Sequence, residues 1–179
     1  MAYLNIFYLL FPVFAANMAP QIASRLGILK SFDRPVDFGK SVFGKRIFGE
    51  NKTLRGFIVG VGFSIVIAFL QYILDFQGIV KIEKLSGLGQ FLLFGFLAGF
   101  GALLGDLIES FFKRQLGIKA GRPFVPFDQI DYIIGFLFFT SIVVEWGWKE
   151  IVFAILCGLF LNPIVNFLAY IFKVKKTYW

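Results

Sequence analysis

Uninterrupted apolar segments of membrane-crossing length constrain this chain more than any motif does. A hydrocarbon core about 30 Å thick needs roughly 20 residues of helix at about 1.5 Å each. Such segments fall at 3–19, 56–75 and 88–110, and the stretch 132–172 is long enough for two more, 132–146 and 150–172. "EWGWKE", residues 145–150, reads as the hairpin between the last two, with Trp146 and Trp148 at the interface. Composition agrees: 58% of the 179 residues are hydrophobic and the mean hydropathy is +0.79, well beyond a soluble domain. The expectation is an all-α integral membrane protein of the cell membrane, one polytopic domain over 1–179 with about five transmembrane helices. No basic segment precedes 3–19, so it is not read as a cleaved signal peptide.

Five spans put the termini on opposite sides. With the N-terminus outside, the segments 20–55, 113–130 and 173–179 face inward and hold fifteen of the 18 Lys and Arg; Lys81, Lys84 and Lys149 are left outside. Basic residues concentrate in cytoplasmic loops, so the expected orientation is N-terminus outside and C-terminus cytoplasmic. Asn51-Lys52-Thr53 fits the glycosylation pattern, but it lies in the inner loop 20–55 and is read otherwise.

The net charge of +7 suits contact with anionic headgroups, and no basic, aromatic-interleaved region suggests nucleic acid. One cysteine, Cys157, lies in an apolar run, so there is no disulfide framework. The chain has no histidine, which leaves oxygen ligands and a hard ion such as Mg²⁺ for any metal. Gly56 and Gly60, Gly95 and Gly99, and Gly101 and Gly105 recur at four-residue spacing, ordinarily a sign of close helix packing. Pro163 predicts a kink in the last span, with Asn162 and Asn166 near the freed backbone groups.

Charge then returns in three clusters. Asp106, Glu109, Ser110 and Lys113 follow i, i+3, i+4, i+7 and share one helix face. Ionisable groups at membrane depth are costly and line interiors or cavities; the plain alternative is an ion pair that holds helices together. Asp128 and Asp131 open the fourth span, where acids also complement a helix dipole. Lys52 and Arg55, with Asn51 and Thr53, precede the second span. Gly44 and Gly49 have P-loop spacing, but the Lys-Thr comes too late for a phosphate-cradling loop of that kind. Carboxylates for a divalent ion beside cations and neutral donors suit a polyphosphate. Placed at the membrane surface, they describe an enzyme that joins a soluble nucleotide to a lipid phosphate, with the reaction type still open.

These residues resemble a known family. Ser110, Phe112, Lys113, Arg114 and Lys119, followed by Asp128 and Asp131, match the spacing of the phosphatidate cytidylyltransferase signature, with Ala120 and Gln129 standing where that signature has Asp and Arg. The archaeal branch, the CDP-archaeol synthases, is closer: its pattern resembles "ANMAP" (16–20), "DRPVDFGK" (33–40), "GENKTLRGF" (49–57), "GALLGD" (101–106), "SFFKRQLGIKAGRP" (110–123) and "FDQID" (127–131). The resemblance implies transfer of a cytidylyl group from CTP to an unsaturated archaetidic acid, a geranylgeranyl ether-lipid phosphate, giving CDP-archaeol and pyrophosphate with Mg²⁺. It implies that Asp106, Asp128 and Asp131 hold the metal, with Glu109 a further ligand or a partner of Lys113. Lys113, Arg114, Lys119 and Arg122 would bind phosphates. Asn51, Lys52, Thr53 and Arg55, with Ser110, would complete the substrate site. A homodimer is left open.

Two other readings compete. A CDP-alcohol phosphotransferase uses similar carboxylates, but its D-G-x-x-A-R motif is absent. A small carrier of anionic substrates would also place charge in the membrane, but it should show polar groups near the midplane, and the acids here gather at one face.

Overall fold

The computed structural model describes residues 2–171, without the side chains of a few positions near the end of the last helix, Asn166 among them. The basic residues Lys173, Lys175 and Lys176 lie outside the described residues. The helices are α1 (Ala2–Leu9), α2 (Phe11–Leu26), α3 (Leu54–Phe76), α4 (Gly87–Gln115), α5 (Phe127–Thr140) and α6 (Trp148–Ile171). A short 3₁₀ turn, Lys30–Phe32, and a small antiparallel hairpin, β1 (Ser41–Val42) with β2 (Lys45–Arg46), structure the loop between α2 and α3.

Tyr3–Leu26, Leu54–Phe76 and Gly87–Gln115 are long and apolar enough to cross a membrane. The first spans α1 and α2, which meet at Leu10 with helical hydrogen bonding carried across the break, Phe14 N–H to Leu10 O at 3.1 Å. It runs past the expected end at residue 19 because Pro20 does not stop it. Neighbouring helices accommodate a membrane proline, and Pro20 packs on Gly56 of α3, where a Cβ would lie 3.0 Å from its ring. The helix ends instead on Gly27, at φ +67, the left-handed cap that favours glycine. Thr53 starts α3, its hydroxyl accepting from Gly56 N–H at 3.1 Å. α5 begins five residues before the expected boundary of 132, and its 14 residues reach about 21 Å. Pro163 lies within α6, which continues through it, and the Asn162 amide donates to the Asp128 carbonyl of α5 at 2.8 Å. Trp146 lies in the connection before α6 and donates to Thr140 at 3.1 Å.

α4 is the central rod, packed against α2, α3 and α5, while α6 lies on α5. Phe91, Phe94, Tyr132, Ile133 and Phe136 form the buried centre. The glycine spacing works as packing. Cβ atoms at Gly95 and Gly99 would come within 2.6 Å of Ala68 and 2.7 Å of Ser64 on α3. On the α5 side, a Cβ at Gly101 or Gly105 would collide with the backbone carbonyl of Gly135 or Asp131. The two helices therefore touch backbone to backbone, which only glycine allows.

Candidate functional site

α2 and α4 end, and α3 and α5 begin, at the same end of the bundle. The loop 27–53 covers that end, tied to it by Lys45 Nζ, which donates to the Gln115 carbonyl at the end of α4 at 2.6 Å. Beneath the loop a cavity of about 660 Å³ opens between α2, α4, the start of α5 and α6.

Its centre is acidic. Asp106 and Glu109 on α4 and Asp128 on α5 line it. Asp131 on α5 does not, but its carboxylate lies behind the wall, one oxygen each of Asp106, Glu109 and Asp131 falling within 4.8 Å of one another. The cause is local: Gly105 precedes Asp106 and lets the Asp131 backbone pack directly on α4. Crowded like charges repel and demand compensation. Lys52 reaches from the loop and donates to both Asp106 oxygens at 2.6 Å. Burial alone would push its ammonium pKa down, but the charge and hydrogen bonds of Asp106 outweigh burial and raise it. Lys113 lies one turn beyond Glu109, 3.4 Å from its carboxylate and 2.6 Å from Asp128. Asp128 also accepts from the Phe124 N–H. Asp128 is thus the partner of Lys113, and Glu109 is the third member of the carboxylate cluster. The donor set is all oxygen and suits a hard divalent ion.

Asn51, Lys52 and Thr53 line the cavity from the loop, although the Thr53 hydroxyl also serves as the α3 cap. Ser110, Lys113, Arg114 and Arg122 line it from α4 and the following segment. Arg55 and Lys119 do not. Arg55 is buried, paired with Asp33 at 3.0 Å and bonded to Ser24 at 3.0 Å, and so ties the loop to α2 and α3. Lys119 is exposed.

Asp37 carries no signal of its own in the sequence, although it falls within the segment 33–40. Its buried carboxylate accepts from Gly39 N–H at 3.0 Å, Phe48 N–H at 3.1 Å and Gly49 N–H at 3.0 Å, and from two nitrogens of Arg46, the closer at 2.6 Å. Burial alone would raise its pKa, but the Arg46 guanidinium and the backbone N–H groups hold it well below the usual carboxylate range. Val36 N–H to Lys52 O at 2.8 Å and Leu54 N–H to Arg34 O at 2.9 Å then close the loop at its base. Together these bonds fix the strand that presents Asn51, Lys52 and Thr53. Asn17, Gln21 and Phe48 also line the cavity; Asn17 falls within the segment 16–20, and no spacing or charge pattern marks any of the three for the site.

The profile of the CarS-like family, CDP-archaeol synthase, matches residues 1–179. The CDP-archaeol synthase of Thermococcus onnurineus (strain NA1) is 34% identical over 174 residues, covering 97% of this chain and 95% of its own. That of Archaeoglobus fulgidus is 35% identical over 190 residues, covering 98% and 97%. A solved structure of an intramembrane enzyme for archaeal membrane lipid biosynthesis superposes with a TM-score of 0.71 at 27% identity, covering 89% of this chain and 90% of that one.

Proposed function

The chain belongs to the CDP-archaeol synthase family and is a CTP-dependent nucleotidyltransferase of archaeal lipid synthesis, and we propose that the transfer takes place in the cavity around Asp106, Glu109 and Asp131. The observation that carries this is the convergence of three carboxylates, Asp106, Glu109 and Asp131, at a cavity that Lys52 enters from the loop and that Lys113, Arg114 and Arg122 also line. Family membership sets the carrier reading aside.

The acceptor is a phosphate monoester, whose second pKa is about 6, so at neutral pH it is mostly a dianion. Its oxygen attacks the α-phosphorus of CTP without a general base. The new P–O bond joins the lipid phosphate to CMP, the α–β bridging bond breaks, and pyrophosphate leaves with both electrons. A chain without histidine can run this step, because the work is positioning and charge neutralisation. Lys113, Arg114 and Arg122 stand along one wall to meet the phosphate oxygens of the nucleotide. Lys52 ties the loop to the carboxylates, and Asn51 offers a neutral donor beside it. Asp106 and Asp131, with Glu109, would hold Mg²⁺; Asp128 would hold Lys113 beside them. Bound there, the ion supplies charge neutralisation on the phosphates.

We further place the cavity on the cytoplasmic side of the cell membrane, with the N-terminus outside and five spans, α5 and α6 completing the three long helices. The excess of Lys and Arg at this end supports that orientation. One chain supplies every residue of the cavity, so a homodimer would hold two complete sites. The test is one assay of the purified protein with labelled CTP, Mg²⁺ and either an ether or an ester phosphatidic acid. CDP-lipid and pyrophosphate in equal amounts, lost on chelation and restored by Mg²⁺, are expected. No CDP-lipid with either acceptor would overturn the reading.

A further inference from the structure

Asn17 and Gln21 stand one turn apart on α2 and both face the cavity. Among the described residues, neither side chain has a hydrogen-bond partner. α2 belongs to the first membrane-crossing stretch, Tyr3–Leu26. Unmet amides in such a helix are costly unless something polar meets them. Two other amides of the bundle bond across it, Gln71 donating to Tyr8 O at 2.6 Å and Asn162 to Asp128 O at 2.8 Å, while Gln115 Nε2 is buried against protein without a partner. Asn17 and Gln21 stand apart by pointing into open space.

Their depth identifies what they meet. Ala16 and Leu103 both approach Gly60 of α3, its Cβ position lying 2.8 Å from Ala16 O and 2.7 Å from the Leu103 side chain, so these three residues share one level of the bundle. At about 1.5 Å per residue, Asn17 and Gln21 bracket the level of Asp106. Toward the loop end the cavity becomes cationic, with Lys113 and Arg114 on α4. Away from it the lining turns apolar, with Met18, Phe57 and Leu103. Two neutral amides at that boundary suit a ligand whose polar head passes into hydrocarbon at the same point.

We infer that Asn17 and Gln21 bind the glycerol phosphate head of the lipid acceptor and hold it at the level of Asp106, while the nucleotide occupies the cationic side. This rests on the reading of the cavity proposed above. Neutral amides suit such a head, because they bond phosphate and ether oxygens without pairing permanently with the nearby carboxylates, as lysines in their place would.

The test is steady-state kinetics on the full chain in detergent micelles, with geranylgeranyl glycerol phosphate and CTP varied separately. Loss of one hydrogen bond each predicts a rise in KM for the lipid of about fivefold for Asn17→Ala or Gln21→Ala and about thirtyfold for the double variant. KM for CTP should stay within about twofold of wild type, the margin of one weak contact. Asn17→Asp keeps the shape and guards against a folding artefact; its carboxylate should repel the lipid phosphate and raise the lipid KM at least as much. If KM for CTP rises instead, the amides touch the nucleotide and the inference is overturned. An unchanged lipid KM in folded variants overturns it too, while leaving the transferase reading intact. A wild-type protein that makes no CDP-lipid removes that reading and this inference together.

Discussion

Asp37 in the loop and Asp106 on α4 are both partly or fully buried acids beside a cation, yet their surroundings differ in kind. Asp37 has its needs met within the loop: three backbone N–H groups and Arg46 surround its carboxylate. Asp106 has one lysine for both oxygens and two further carboxylates close by. A saturated carboxylate holds backbone in place. A crowded, under-compensated one holds positive charge that comes from elsewhere. The same residue type therefore builds the frame in one region and the reactive centre in the other.

That contrast is most directly broken at the cluster. Asp106→Asn or Asp131→Asn should lower turnover by about 10²–10³-fold, as for removal of one preorganised charge-stabilising group. For Asp131→Asn the melting temperature in detergent should not fall, because a like charge has been removed; for Asp106→Asn it should fall, because Lys52 loses the carboxylate to which it donates at 2.6 Å. An Asp131→Asn variant that instead unfolds with activity lost in proportion would mean the cluster is structural. Next in size is Gly105→Val. Its side chain would strike the Asp131 carbonyl and push α5 away. A misplacement of about 1 Å can cost about 100-fold, and overpacking costs about 1–3 kcal/mol of stability. Activity and melting temperature measured together distinguish it from the first pair, because both should drop.

Asp37→Ala should show the opposite balance: a stability loss of about 2–3 kcal/mol from lost charge-assisted bonds, with a raised KM for CTP as the loop loosens. The pH dependence follows in sign. The folded pKa of Asp37 is lowered, so its stabilisation is complete above the unfolded value near 4 and is lost as pH falls below it. Thermal melts should therefore keep a constant separation between wild type and Asp37→Ala from pH 6 to about 4 and draw closer from there to pH 3, without meeting because the loss is complete only below the lowered folded pKa. Curves that stay parallel throughout would show that Asp37 contributes through shape and not through charge. The smallest effect is expected at Lys119→Ala. An exposed residue away from the cavity should change kcat/KM by no more than about twofold, within the usual range of surface substitutions. A tenfold loss would bring Lys119 into the phosphate site.

Much of this is legible without any fold. The helices start and stop near the apolar boundaries because hydropathy and caps are local: Thr53 opens α3 through its side chain and Gly27 closes α2 through its backbone. The glycine spacing announces close packing. The i, i+3, i+4, i+7 stripe puts Asp106, Glu109, Ser110 and Lys113 on one face. The roles within that face are less legible. Thr53 looks like a substrate donor beside Lys52 and also serves as a cap. Arg55, three residues after Lys52, looks like a phosphate ligand and is held by Asp33 and Ser24. Asn17 and Gln21 look like ordinary polar interruptions of an apolar helix.

The chain by itself determined that it is a helical membrane protein with an all-oxygen, histidine-free centre beside cations, because composition, period and charge placement are properties of the sequence alone. Tertiary structure decided which carboxylates meet. Asp128 and Asp131 are three residues apart and equally acidic on paper. Gly105 and Gly135 bring α4 and α5 into backbone contact at the level of Asp131. That contact puts Asp131 with Asp106 and Glu109, and leaves Asp128 to Lys113. Helical spacing says which side chains share a face, and only the approach of the neighbouring backbone says what that face meets.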